Sequence, residues 1–146
     1  MFDNVAELID KIRLGEDSYL ELKEVRLAGQ KVSAPHKDSL ADELAAFANS
    51  RGGVCLLGVD DRREVLGISL ERLDLVEDFV RQICLDSISP PLTPLIERLT
   101  LPSSTGESLP VMKIDVSRSL FVHKSPGGYM HRVGSAKREM APDYLA

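Results

Sequence analysis

The chain has 146 residues, 43% of them hydrophobic, enough for one globular domain with a sizeable core. The 18 Lys and Arg stand against 23 Asp and Glu, a formal net charge of −5, which excludes a generally basic coat for nucleic acid. No apolar run approaches membrane-spanning length and no signal peptide is read, so a membrane partner is not expected.

The first predicted element is a helix with Phe2, Val5, Leu8, Ile9 and Ile12 on one stripe, ended by Gly15. Residues 16–23 follow as a strand in which Leu20 and Leu22 alternate with Tyr19, Glu21 and Lys23, giving one apolar and one polar face. Residues 28–37, with Gly29 and Pro35, read as a loop. The stretch 40–68 then organises the chain. Leu40, Leu44 and Phe47 form a helical stripe beside slim Ala41, Ala45 and Ala48, with Ser39 as N-cap and Asp42 serving the first-turn amides. Gly52 and Gly53 stop that helix; a phosphate-cradling loop would need the opposite order, glycines before a helix. Residues 54–59 form a strand buried on both faces, Asp60, Asp61 and Arg62 a turn, and residues 65–68 a returning strand.

Leu73, Val76, Phe79, Val80 and Ile83 mark another amphipathic helix, stopped by Ser89-Pro90-Pro91 and Pro94. Residues 95–101 and 109–116 read as a hairpin, 117–128 as a loop, and 129–133 as a last short strand before Gly134-Ser135. Residues 1–140 thus form one domain, and 141–146 open a helix leading to a C-terminal region beyond this sequence. The fold class is α+β, a mixed sheet with helices packed on it.

Two groups of residues carry chemistry. Glu16 and Glu21 straddle the first strand, and Asp60 and Asp61 end the central one; if these strands are neighbours, the carboxylates converge as an oxygen-rich site for Mg²⁺ or Mn²⁺, with Lys23 beside them. The same acids also suit ordinary turns and solvated strand faces. From Lys113 to Arg138 the charge is mostly basic, so a local basic face is possible on an acidic domain. Tyr129 and His131 share one strand face and could stack bases, while Arg132, Lys137 and Arg138, with Lys124, meet phosphates; a charge-guarded edge strand has the same composition. Asn49-Ser50-Arg51 places polar groups at a helix end beside the acids. His36 and His123 read as surface histidines, and no serine or cysteine stands in a nucleophile context. Cys55 and Cys84 lie singly in apolar patterns, without metal-ligand spacing, and read as buried thiols of a reducing, cytoplasmic compartment.

Together Glu16…Leu20-Glu21-Leu22-Lys23, Ala46-Phe47-Ala48-Asn49-Ser50…Gly52-Gly53, Leu57-Gly58-Val59-Asp60-Asp61…Val65-Leu66-Gly67 and Tyr129…Arg132-Val133-Gly134-Ser135 resemble the Schlafen-type AlbA-2 domain. Leu22 stands where that pattern usually has an aromatic residue. The resemblance implies a DNA- or RNA-binding domain of a bacterial transcriptional regulator. From the vertebrate Schlafens it implies, as an alternative, a metal-dependent endoribonuclease with Glu16, Glu21 and Asp60 (or Asp61) as ligands and Lys23 assisting. Those nucleases clamp RNA between two lobes, so a homodimer would supply the second lobe here. A non-catalytic dimerisation or sensing module is the remaining alternative.

Overall fold

A computed structural model describes residues 1–141, so the helix expected at 141–146 lies, but for its first residue, outside the described residues. Helix α1 (Val5–Leu14) is followed by β1 (Leu20–Lys23), a hairpin of β2 (Arg26–Ala28) and β3 (Lys31–Ala34), helix α2 (Lys37–Asn49) and β4 (Gly53–Leu57). A short 3₁₀ turn then precedes α3 (Leu73–Asp86), the hairpin β5 (Leu95–Pro102) and β6 (Ser108–Val116), and the hairpin β7 (Met130–Val133) and β8 (Ala136–Glu139). The main sheet has the order β1-β4-β6-β5, with β1 parallel to β4 and the other pairs antiparallel. It is a mixed sheet with helices on it, as the composition of the elements implied.

Alternation along the strands divides the interior in two. Leu20, Leu22, Val54, Leu56 and Val111 face α1, where Leu8 and Ile12 cover them. Cys55, Leu57, Met112 and Ile114 face the other way, under Leu40, Leu44 and Phe47 of α2 and Val76, Val80 and Ile83 of α3. Strand β4 is buried along its whole length between β1 and β6, which is why it reads as an unbroken apolar run.

Several expectations are corrected. The stretch expected as a loop at 28–37 holds most of the β2–β3 hairpin, so the chain enters α2 earlier: His36 is the N-cap, its Nδ1 accepting from the Asp38 amide at 3.3 Å, and Ser39 lies inside the helix. Asp42, freed from the first turn, accepts instead from the Ser125 hydroxyl at 2.6 Å and the Gly127 amide at 2.8 Å. The returning strand at 65–68 reduces to one bridge, Val59 to Val65, because Asp60 Oδ1 closes a tight turn by accepting from the amides of Arg62 and Glu64. Strand β8 is an addition. Its four residues, AKRE, carry no apolar alternation, and only the Gly134-Ser135 turn hinted that the chain reverses there.

Both cysteines are buried and free, and burial pushes both thiols up from their ordinary range, which makes them inert core residues. Among the described residues no helix is long and apolar enough to cross a membrane.

Candidate functional site: a buried ion cluster behind a basic hairpin

Helix α2 ends where the site begins. Gly52 takes φ +79°, and a Cβ there would lie 2.7 Å from Val116 O, so glycine lets the chain after β6 cross directly over the helix end. A Cβ on Gly53 would lie 2.3 Å from the Phe47 ring. Asn49 uses its whole side chain on what crosses: Nδ2 donates to His123 O at 2.9 Å and Met130 O at 2.8 Å, and Oδ1 accepts from the His123 amide at 2.8 Å. Next to it, Ser50 Oγ accepts from the Arg132 amide at 2.8 Å. The Asn-Ser pair expected beside the acids is therefore the staple that fastens β7 and the 117–128 loop to α2.

Stapled in this way, β7 turns Arg132 inward. Its side chain is 1% exposed and lies over the Phe47 ring, 4.5 Å from the centroid. Nη1 donates to Glu43 Oε2 at 2.9 Å, Nη2 to Glu21 Oε2 at 3.1 Å and Leu20 O at 2.9 Å, and Nε and Nη2 both reach Asp17 O. Lys137, paired across the hairpin with Arg132, reaches Glu43 Oε1 at 3.1 Å and Ser39 Oγ at 2.9 Å. Arg132 and Lys137, expected to meet phosphates, are thus the basic half of an interior ion cluster. A guanidinium supplies the five fixed donors that two carboxylates and two carbonyls need when water is excluded. Lys113, the first of the basic run, is likewise interior, 2% exposed and donating to Phe2 O at 2.9 Å.

Glu21 is the acid most affected. Burial pushes its carboxyl up to about 7, the Glu16 and Glu43 carboxylates add to the rise, and Lys23, 3.5 Å away, opposes it. Glu43 escaped the sequence reading. The pattern held a clue: it falls between Leu40 and Phe47, four residues before the latter, so a charge sat on the buried stripe of α2.

The acids expected to bind metal are partly brought together. Glu16, Glu21 and Asp61 line a shallow cleft of about 350 Å³ with Lys23, Glu24 and Arg26. Asp60 lies apart from that set, with Oδ1 committed to turn amides. Glu16 Oε2 accepts from the Leu22 amide at 2.9 Å, and Glu21 Oε2 is held by Arg132. Among the described residues no three acidic, His or Cys side chains already stand together as a set that could hold a metal ion.

The outer face of the β7–β8 hairpin is different. Residues opposite one another in an antiparallel pair share a face, so exposed Arg138 stands beside half-buried His131, and Tyr129 and Val133 are exposed on the same hairpin. Lys124 stands over the Tyr129 ring, 6.0 Å from its centroid. The other two histidines part company: His36 is exposed, but His123 is 3% exposed, with Nδ1 on Pro90 O at 2.5 Å and Nε2 on the Ser119 hydroxyl at 2.7 Å. It is a loop anchor rather than a surface group.

A mixed sheet between helices, with a charged hairpin locked to the end of its central helix, defines a small α+β domain of one particular type. The profile of the family described as "Schlafen, AlbA_2" matches residues 16–141, and the chain belongs to that family, which is generally associated with nucleic acids. Among solved structures the chain is similar to the DIP2311 protein from Corynebacterium diphtheriae, at 22% identity and a TM-score of 0.56. The match covers 84% of this chain and 22% of that one, so the chain spans about a fifth of its structural relative's length.

Proposed function

We propose that the domain binds nucleic acid through the outer face of the β7–β8 hairpin, as the DNA- or RNA-contacting part of a transcriptional regulator. The observation that carries this is the division of labour within the hairpin. Arg132 and Lys137 lock its inner face to α2, while Tyr129, His131 and Arg138, with Lys124 alongside, occupy its outer face. A rigid platform of aromatic rings and cations suits phosphates and bases, and rigidity limits the ordering cost of binding. Mobility-shift titrations against duplex DNA, single-stranded DNA and RNA test it. The double variant Lys124→Gln, Arg138→Gln is expected to weaken binding at least tenfold at 50 mM salt, two phosphate contacts being removed. Equal affinity of variant and wild type would refute the assignment of this face. Two copies of the domain would offer two such faces, and light scattering with and without nucleic acid checks whether binding is dimeric.

A second reading rests on the cleft that gathers Glu16, Glu21 and Asp61 beside Lys23 and Arg26. As an endoribonuclease, the domain would cut RNA only with Mn²⁺ or Mg²⁺ present, and Glu21→Gln would abolish cutting. Metal-independent cutting, or cutting retained in Glu21→Gln, would remove this reading.

A further inference from the structure

The end of α2 carries a second basic feature, which adjoins the outer face of the hairpin at His131. A cleft of about 420 Å³ is lined by Ser18, Asn49, Ser50, Arg51, Arg118, His131 and Arg132, with no carboxylate among these residues. Arg118 comes here because Gly52 admits the crossing chain: a Cβ on Gly52 would lie 3.1 Å from the Arg118 amide. The Ser119 amide then bonds Ala48 O at 2.9 Å, which fixes the crossing against the helix. Arg51 and Arg118 are both exposed, and among the described residues neither has a carboxylate within ion-pairing distance; Arg51 reaches only the Tyr19 hydroxyl, at 3.4 Å. In a chain of net charge −5, two arginines left without acids at one cleft are a local positive field. Ser50 adds a donor, for its oxygen already accepts from the Arg132 amide and its own proton is left to point elsewhere.

Beyond Arg118 the chain turns outward. Leu120 is 99% exposed and Phe121 70% exposed, and this is not a loose end. Ser119 Oγ accepts from the Phe121 amide at 3.1 Å and also bonds buried His123, so the loop is tied on both sides of its apolar tip. Arg118 and Phe121 both line the adjoining groove along Pro90–Leu95. An anion site thus leads into a groove with an exposed ring.

We propose that the Arg51–Arg118 cleft is a phosphodiester-binding subsite for single-stranded nucleic acid, with Phe121 stacking on an unpaired base next to the gripped phosphate. Guanidinium pairs suit phosphate oxygens, and an exposed ring held by a fixed loop takes any base face at small entropic cost. The inference rests on the nucleic-acid reading above and adds the strand type and a second contact region.

The test is fluorescence anisotropy of the whole chain with a labelled 15-nucleotide single strand, titrated at several salt concentrations. Relative to wild type, Arg51→Gln with Arg118→Gln is expected to bind at least tenfold more weakly. Its log–log salt slope should shrink by about 1.4, two contacts at about 0.7 each. The matching Lys variants, which keep the charge, should restore the slope. Phe121→Ala should weaken binding about fivefold or more with the slope unchanged. Inorganic phosphate should displace the strand only at high millimolar concentration; phosphate binding as tight as the strand would make this a small-anion site and overturn the proposal. If the Gln variant binds like wild type while Lys124→Gln, Arg138→Gln loses binding, the subsite is refuted and the function stands. If wild type binds no strand and no duplex at 50 mM salt, both fall.

Discussion

Arg132 shows how far a residue's role depends on what is folded around it. It was legible as a cation on a short strand, but its burial was not, because the partners Glu43 and Glu21 lie 89 and 111 positions away. Removing Arg132 leaves Glu21 and Glu43 buried with only Lys23 and Lys137 against them, and takes the guanidinium from the Asp17 and Leu20 carbonyls, so Arg132→Ala should cost about 3–5 kcal/mol of unfolding free energy in urea melts. Arg132→Lys should recover only part of it, since one ammonium cannot span two carboxylates and two carbonyls. A loss below about 1 kcal/mol would mean that the cluster is solvated.

Glu21 gives a pH prediction at the same scale. Its folded-state value of about 7 stands above the ordinary 4.5, so the folded protein holds that proton more tightly than the unfolded chain. The linked stabilisation is complete below about pH 4.5 and is lost as pH rises through about 7. Wild type should therefore lose stability relative to Glu21→Gln across that window and run parallel to it above. A difference between the two that does not change with pH would show that Glu21 titrates as an ordinary carboxylate.

At the scale of elements, the end of α2 does more than stop a helix. The glycines were legible as a terminus, but Gly52 is also a crossing point and Gly53 a seat for the Phe47 ring. Asn49 was legible only as a polar residue near acids; its three hydrogen bonds run to a loop and a strand more than 70 positions away. Asn49→Ala leaves two carbonyls and an amide unpaired, a loss of about 1–3 kcal/mol. Amide exchange should accelerate first in residues 117–133 and only weakly in β4, whose bonds to β1 and β6 are untouched. Uniform acceleration across the sheet would show that the hairpin and sheet open as one unit.

Across the whole molecule the charge sorts by depth. The basic run from Lys113 to Arg138 sends Lys113 and Arg132 inside and keeps Arg118, Lys124 and Arg138 at the surface, on a chain that is acidic overall. With Arg51 these make four surface cations, and their number sets the salt dependence of binding. Four phosphate contacts to a single strand give a log–log slope near −2.8, so raising salt from about 50 to 200 mM should weaken binding about 50-fold. A slope near zero in the anisotropy series would exclude phosphate contacts as the source of affinity.

The sequence by itself determined the parts whose causes are local. Apolar spacing set α1, α2 and α3, the unbroken run of 54–59 set a central strand, and the ordered motifs marked the family. Only the tertiary structure decided which charged residues are interior. Glu21, Glu43, Lys113 and Arg132 look like surface residues in the chain, because burial of a charge is a property of its partners and those arrive from distant segments. The same reason separates Asp60 from Asp61. Adjacent and chemically alike in sequence, one spends its carboxylate on turn amides and the other lines the acidic cleft, a choice made by backbone geometry alone.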